Sequence, residues 1–195
     1  MARNASIKRK TNETDIEIEL KIDGEGKYDI STKIPFLDHM LAQIAKHGLF
    51  DLKIHAVGDI EIDYHHTVED VGIVLGMAFK KALGNKNGIR RHGSAHITLD
   101  EALAMVVVDI AGRSYFANQV DIPKEKIGDF DVELVEEFFQ AFANNCGITL
   151  HIRLICGNNL HHIVEAIFKA FAKAMDQGSS IDKRIKGISS TKGTL

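Results

Sequence analysis

The first clear pattern in the chain is a regular alternation of polar and apolar residues. Residues 15–22, DIEIELKI, place isoleucine or leucine at every second position, and this pattern predicts a strand with one buried face. The segment DGEG then predicts a turn, and KYDISTKI predicts the partner strand of a hairpin. After Pro35 the apolar spacing changes in FLDHMLAQIAKHG, which predicts a helix that ends at Gly48.

The rest of the first half predicts one more strand, in LFDLKIHA, and a helix from about Thr67 to Leu83. The predicted order is therefore β-β-α-β-α. The second half predicts the same order, with strands in ALAMVVVDI, YFANQVDI and ITLHIRLI, a turn at AGRS, and helices in DVELVEEFFQAFANNCG and HHIVEAIFKAFAKAM. Here YFANQVDI is the predicted hairpin partner of ALAMVVVDI.

The two halves also align residue by residue. LDHMLAQIAKHGLFDL, which begins at Leu37, aligns with VEEFFQAFANNCGITL, which begins at Val135, and the apolar positions stay in register. We therefore predict an α+β fold formed by tandem duplication of a β-β-α-β-α half-domain, with a helix pair on one face of each sheet. The predicted single domain spans residues 1–195, with pseudo-repeats at about 1–93 and 94–195.

Composition excludes several classes of protein. The chain has 195 residues and is 45% hydrophobic, as expected of an ordinary globular domain. No apolar run approaches the roughly 18 residues of a membrane helix, and MARNASIKRK lacks the apolar core of a signal peptide. A net charge of −3 gives no reason to expect nucleic acid as a partner. Two cysteines, Cys146 and Cys156, are no disulfide framework, so we expect a reducing, cytoplasmic setting.

Each half carries the motif HHxxE where its last helix is predicted to begin. The six residues are His65, His66 and Glu69 in the first half and His161, His162 and Glu165 in the second. Residues three or four apart share one face of a helix, whereas adjacent residues project about 100° apart. Each histidine pair is therefore suited to two metal ions, one histidine to each. Imidazole and carboxylate ligands favour Mn, Fe, Co, Ni or Zn, and the sequence does not choose among them.

A single HHxxE motif is also typical of polar helix ends and of hydrogen-bonded core histidines, and it is the duplication in register that favours metal. The alignment extends the argument to one further position in each half, because His39 aligns with Glu137 on equivalent helices. If His39 is a ligand, Glu137 is the candidate for the matching place at the other metal. The alternative for both residues is a solvated helix face.

Five segments together identify a family resemblance. RKTNET, FLDHMLAQIAKHG, DYHHTVEDVGIVLG, LHIRLICGNNLHHIVEAIFKAFAKA and SSTKGTL closely resemble imidazoleglycerol-phosphate dehydratases, over residues 9–195. The resemblance implies a ribosomal S5 domain 2-like fold and a monofunctional hydro-lyase of histidine biosynthesis, without the phosphatase domain of bifunctional members. Its reaction would convert imidazole glycerol phosphate to imidazole acetol phosphate through an imidazolate and a diazafulvene-like intermediate.

The resemblance also assigns site residues, motif by motif. Two manganese ions in each active site would be held by eight residues: His39, His65, His66, Glu69, Glu137, His161, His162 and Glu165. The position of Glu137 varies in the family and is histidine in several members. Glu13 would bind substrate and move the proton, although by sequence alone it is an ordinary charged residue before a strand. The other substrate and phosphate contacts would be Gln43, Arg91, Arg113, Lys169, Ser190, Thr191 and Lys192.

The resemblance further implies an assembly in which metal sites form between subunits. Trimers would build a symmetric shell of about twenty-four copies, with no nucleic acid or membrane partner. Two other functions compete with the dehydratase. A non-catalytic metal-binding assembly would need neither Glu13 nor the tail SSTKG. A dinuclear metallohydrolase would normally bridge its metals with aspartates, and neither motif centres on one. By composition alone the tail GISSTKGTL predicts a flexible end.

Overall fold

The computed structural model describes residues 3–194, so Met1, Ala2 and Leu195 of the predicted domain lie outside the described residues. The strands are β1 (Asn4–Lys10), β2 (Thr14–Lys21), β3 (Tyr28–Ser31), β4 (Asp51–Gly58), β5 (His92–Leu99), β6 (Ala102–Asp109), β7 (Tyr115–Gln119), β8 (Lys126–Ile127), β9 (Phe130–Asp131) and β10 (Thr149–Cys156). The helices are α1 (Pro35–Gly48), α2 (His65–Leu83), α3 (Leu134–Cys146) and α4 (Leu160–Ser179). No helix within residues 3–194 combines the length and apolar content that crossing a bilayer requires.

Two four-stranded sheets with the same strand order confirm the predicted α+β duplication. The first sheet has the order β1-β2-β4-β3 and the second has β5-β6-β10-β7. In each sheet the first two pairings are antiparallel and the last is parallel. The two halves therefore share topology as well as sequence pattern.

Each half contains a first strand that the hydrophobic pattern did not predict, so the repeating unit is β-β-β-α-β-α. These strands, β1 and β5, lie at sheet edges and bury little, since Ala5 is the buried side chain of β1 and Gly93 the buried position of β5. Edge strands rich in polar residues give a weak alternation signal. The repeat boundary predicted at about residues 93 and 94 falls near the start of β5, next to the connection from α2.

Both predicted hairpin pairings were wrong. β3 pairs in parallel with β4 rather than with β2, and β7 pairs in parallel with β10 rather than with β6. The reason is that each expected partner already has two neighbours. β2 lies between β1 and β4, and β6 lies between β5 and β10, so the third strand of each half can add only at an outer edge, and it adds beside β4 or β10.

The helices lie between the two sheets and form one core with them. α2 packs on β1, β2 and β4, and α4 packs on β5 and β6, while α2 contacts α3 and α1 contacts α4. Each helix pair thus joins one helix from each half. Alternation in β2 places Ile16, Ile18 and Leu20 in the core, all at most 2% exposed.

Two glycines of α2 set its distance from α3. A Cβ atom at Gly72 would lie 2.6 Å from the carbonyl oxygen of Phe138, and one at Gly76 would lie 2.7 Å from that of Phe142. Both separations are shorter than atoms tolerate, so any larger residue would push the helices apart. These two positions therefore set how closely α2 approaches α3, which is one of the two helix contacts between the halves.

Candidate active site

The structure brings three of the predicted ligands into one cluster. His39 on α1 and His161 on α4 each place Nε2 3.1 Å from Oε2 of Glu165, which lies one turn beyond His161. One ligand atom from each of the three residues lies within 4.8 Å of the others. The histidines are exposed, whereas the side chain of Glu165 is only 12% exposed. We call this group the α1–α4 cluster.

The carboxylate of this cluster is ionised. Burial acts to raise the pKa of Glu165, but hydrogen bonds from Lys169 and His39 outweigh it and lower the pKa to about 2. Nζ of Lys169 lies 2.6 Å from Oε1 of Glu165 and is itself mostly buried. Lys169 therefore neutralises one carboxylate oxygen, while the other faces both histidines.

Several neighbours hold the cluster in place. The side chain of Asn159 caps α4 by accepting from the backbone N–H groups of His161 and His162, at 3.0 and 3.2 Å. The ring of Phe36 meets that of His161 edge-on at 5.3 Å. Oε1 of Gln43 accepts a hydrogen bond from Nε2 of His47 at 3.1 Å, and Nε2 of Gln43 lies 3.5 Å from Nδ1 of His39. The start of α4 is therefore fixed before any ligand binds.

The second histidine of each motif turns away from the first. The rings of His65 and His66 lie 6.1 Å apart at 83°, and those of His161 and His162 lie 6.4 Å apart at 82°. This divergence agrees with the expectation that adjacent histidines serve different ions. It follows from their placement in the first turn of a helix, where neighbours project in different directions.

Two carboxylates that the sequence argument did not assign bind these second histidines. Nδ1 of His66 lies 3.0 Å from Asp59, and Nδ1 of His162 lies 2.7 Å from Glu101. Each hydrogen bond raises the pKa of its histidine. The same contact with His162 lowers the pKa of Glu101 to about 2. For Glu101 the sequence held a signal, because aligning Ile22-Asp23-Gly24 with Ile110-Ala111-Gly112 places Glu13 over Glu101, whereas nothing local marks Asp59.

The matching group in the first half is looser. Nε2 of His65 lies 3.7 Å from Glu69, and His65 and Glu137 line one cavity of about 310 Å³. Within residues 3–194, only the α1–α4 cluster gathers three potential ligands closely. The structure thus places Glu137 on the same cavity as His65, but not in a tight ligand group, and its role as a ligand stays a prediction.

Glu13 lies in the turn between β1 and β2, next to the start of α2. The hydroxyl of Thr11 accepts from the backbone N–H groups of Glu13 and Thr14, at 3.1 and 3.0 Å. The backbone N–H of Asp59 donates to the carbonyl oxygen of Glu13 at 3.2 Å. Because Asp59 also binds His66, the turn that carries Glu13 is tied to the first-half motif.

Five of the predicted phosphate contacts line one cavity of about 550 Å³: Arg91, Arg113, Ser190, Thr191 and Lys192. Arg91 is held by a two-point contact with Asp109, at 2.6 and 2.9 Å, and it donates to the carbonyl oxygen of Ser189 at 2.9 Å. The tail therefore packs against the second half, contrary to the flexible end that composition suggested. Lys169 lies apart from this cavity, on Glu165.

Comparison with known proteins places this chain and its fold in one family. Residues 32–175 match the imidazoleglycerol-phosphate dehydratase family. A dehydratase of that name from Citrifermentans bemidjiense is 61% identical over 195 residues, 100% of both chains. One from Caldanaerobacter subterraneus is 58% identical over 193 residues, 99% of this chain and 100% of its own.

Two solved structures of dehydratases with this name have the same fold as this chain. The crystal structure of the Staphylococcus aureus dehydratase has a TM-score of 0.84 at 40% identity and covers 92% of this chain and 99% of its own. That of the Pyrococcus furiosus enzyme, in complex with (S)-C348, has a TM-score of 0.83 at 37% identity and covers 97% and 100%. With a matching family, full-length relatives and a shared fold, this chain belongs to the imidazoleglycerol-phosphate dehydratase family.

Proposed function

We propose that this chain carries out its dehydration with two manganese ions held by the duplicated histidine–glutamate motifs. As a member of its family the chain is a hydro-lyase of histidine biosynthesis. The metal dependence, the identity of the metal and the reaction route are the proposed part. The observation that carries them is the α1–α4 cluster of His39, His161 and Glu165.

The chemistry of this donor set fits a divalent transition metal. Two imidazole nitrogens and one ionised carboxylate oxygen converge within 4.8 Å, and such mixed nitrogen and oxygen ligands suit manganese, iron, cobalt, nickel or zinc. Burial acts to raise the pKa of Glu165, but hydrogen bonds from Lys169 and His39 lower it to about 2, so Glu165 keeps its charge. The choice of manganese rests on the family resemblance.

The proposed reaction removes a weakly acidic C–H proton beside the imidazole ring and expels a hydroxyl group. When bound, the two ions supply Lewis-acid chemistry that stabilises negative charge on the ring of the substrate. The route passes through the imidazolate and a diazafulvene-like intermediate. Glu13 is the proposed proton carrier, because it lies in an exposed turn tied to the first-half motif through Asp59.

The remaining substrate contacts are proposed for the phosphate. Arg91, Arg113 and Lys192 bring positive charge to one cavity, and Ser190 and Thr191 add hydroxyl donors. Arg91 is already oriented by Asp109, so little conformational entropy is lost when an anion arrives. Gln43 and Lys169, which lie beside the α1–α4 cluster, are proposed contacts for the part of the substrate next to the metal.

Each metal site is proposed to be completed by a neighbouring subunit in a homo-24-mer built from trimers. The α1–α4 cluster supplies three ligands, and a coordination shell has room for more. Within residues 3–194 Nε2 of His66 and of His162 makes no hydrogen bond, although Asp100 lies 3.9 Å from Nε2 of His162, so both atoms remain open to a metal held by another chain. Both cysteines are unpaired, and we place the assembly in the cytoplasm as part of the same proposal.

An activity assay with controlled metal content tests this function. Protein stripped of metal and reloaded with Mn²⁺ should convert imidazole glycerol phosphate to a product that absorbs as an enol or ketone, and the stripped protein should not. Equal activity without metal would overturn the metal dependence. A metallohydrolase gains no support, because the α1–α4 cluster contains no aspartate to bridge two ions. Release of inorganic phosphate instead of water would contradict this assignment.

A further inference from the structure

We propose that Glu101 is a positioning residue that fixes the tautomer of His162, so that Nε2 of this histidine is available to bind metal. The inference rests on the proposed metal-dependent function. Glu101 lies in the turn between β5 and β6, outside the HHxxE motifs and outside the residues to which the family resemblance gives a role. Its contacts show two tasks, one for each carboxylate oxygen.

Oε1 of Glu101 holds the loop before α4. It accepts from the backbone N–H of Asn159 at 2.9 Å and from that of Asn158 at 3.4 Å. Asn159 in turn caps α4 through its side chain. This oxygen therefore fixes the position of the helix start that carries the second HHxxE motif.

Oε2 of Glu101 acts on the imidazole ring itself, since it lies 2.7 Å from Nδ1 of His162. An ionised carboxylate only accepts hydrogen bonds, so Nδ1 must carry the hydrogen in this contact. A neutral ring that is protonated at Nδ1 has its lone pair at Nε2. That is the form in which histidine binds a metal through Nε2, and carboxylates commonly support ligand histidines in this way.

The first half provides an independent comparison. Glu13 is the repeat counterpart of Glu101, yet within residues 3–194 its carboxylate makes no hydrogen bond or ion pair. There the carboxylate on Nδ1 of His66 is Asp59, at 3.0 Å. Both halves therefore place a carboxylate on the same ring nitrogen of the second histidine, but from different positions. Asp59 leaves Glu13 free for the proposed proton transfer, whereas Glu101 keeps the supporting task.

The substitution Glu101→Gln separates the two tasks. The glutamine Oε1 can still accept from Asn158 and Asn159, so the helix start keeps its support. Its amide nitrogen would face Nδ1 of His162 and donate a hydrogen there. This favours the other tautomer, with the hydrogen on Nε2 and no lone pair for a metal.

The experiment is a titration of metal-stripped full-length protein with Mn²⁺. Calorimetry measures the heat of binding, and electron paramagnetic resonance measures the concentration of the free ion. Glu101→Gln should weaken one class of site roughly 10- to 100-fold, with an unchanged melting temperature of the metal-free protein. Glu13→Gln, the same change at the repeat counterpart, should keep wild-type metal affinity. Wild-type affinity in Glu101→Gln would overturn the inference.

A double-mutant cycle tests whether Glu101 acts through His162. In a His162→Ala background, Glu101→Gln should cause no further loss of Mn²⁺ affinity, and an additional loss would overturn the inference. If Glu101→Gln does not fold, Glu101→Asp keeps the charge but withdraws it from the ring, and wild-type affinity in that variant would also overturn it. Wild-type protein that binds no Mn²⁺ would instead overturn the proposed function itself.

Discussion

At the scale of single residues, neighbours decide what each glutamate does. Glu165 is mostly buried between a lysine and two histidines and stays ionised. Both carboxylate oxygens of Glu101 form hydrogen bonds at the start of α4. Glu13, in the equivalent turn of the other half, contacts its surroundings through its backbone. Three glutamates of one chain are thus a candidate metal ligand, a support for the helix start and a candidate proton carrier.

Replacing Glu13 by glutamine should abolish turnover while leaving substrate binding in place. Loss of a general acid–base group typically costs 10²- to 10⁴-fold in rate, and glutamine keeps the size of the side chain. Steady-state kinetics should show the loss in kcat, and calorimetry with substrate should show binding within a few-fold of wild type. The exposed Glu25→Gln is the matched control; near-normal turnover of Glu13→Gln would remove this residue from its proposed role.

Asp51 gives a prediction for acid stability. Backbone N–H groups of Glu25 and Lys27 donate to its Oδ1 at 2.8 and 3.2 Å, and the first of these contacts is the main reason that the pKa of Asp51 lies below its ordinary 3.8. A carboxyl group with a depressed folded-state pKa stabilises the fold above pH 3.8 and loses this effect as the pH falls through the folded value.

Asp51→Asn should therefore melt at a lower temperature than wild type at pH 6, and the difference should shrink towards pH 2.5. The oxygen of asparagine still accepts both backbone hydrogens, but a neutral acceptor is weaker by about 1 kcal/mol. Thermal unfolding of the metal-free protein across this pH range measures the effect. The exposed Asp129→Asn serves as control, and a constant difference at all pH values would contradict the linkage.

The sequence predicted some residues of the candidate site and missed others. The motif and its duplication marked the histidines and glutamates, because their spacing on a helix is a local property. Asp59 could not be found in this way, since its contact with His66 depends on how β4 leads into α2. The ammonium group of Lys169 lies on Glu165, a contact that their i, i+4 spacing on the predicted helix favours, and the role of Lys169 as a substrate contact stays a prediction.

At the scale of elements, every helix pair unites the two halves. α2 packs on α3 and α1 packs on α4, and the α1–α4 contact is what joins His39 to the second-half motif. Helix positions followed well from apolar spacing. Strand partners did not, because the choice between two open edges depends on strands distant in sequence, as the parallel pairing of β3 with β4 shows.

Gly72→Ala should destabilise the protein by forcing α2 away from α3. The added Cβ atom would lie 2.6 Å from the carbonyl oxygen of Phe138, and overpacking of this kind costs about 1–3 kcal/mol. At roughly 2–4 °C per kcal/mol for a chain of this size, the melting temperature should fall visibly. Lys80→Ala, at an exposed position of the same helix, should change it little; equal melting temperatures for both variants would contradict the close packing.

At the scale of the whole molecule, the chain carries two related but unequal groups of candidate ligands. The α1–α4 cluster is tight, while His65, Glu69 and Glu137 are spread over a cavity. Sequence alignment of the halves predicted this pairing of His39 with Glu137. Composition carried no information about assembly, because charge and hydrophobic content do not specify which surfaces meet.

Metal removal should therefore change the size of the particle as well as its activity. If ligands for each ion come from two chains, chelation removes binding free energy from the interfaces, and large assemblies should fall apart into smaller species. Light scattering before and after chelation measures the mass, and restored Mn²⁺ should restore it. A chelated protein that keeps its full mass would contradict sites shared between subunits.

The packing of α2 on α3 also decides whether either half can fold alone. Because each helix pair takes one member from each half, a half-length chain would leave an apolar helix layer uncovered. A half of this chain would therefore need a partner to cover the surfaces that α2 and α3 now bury. A present-day chain cut in the connection between α2 and β5 should reassemble from its two fragments, each of which supplies what the other lacks.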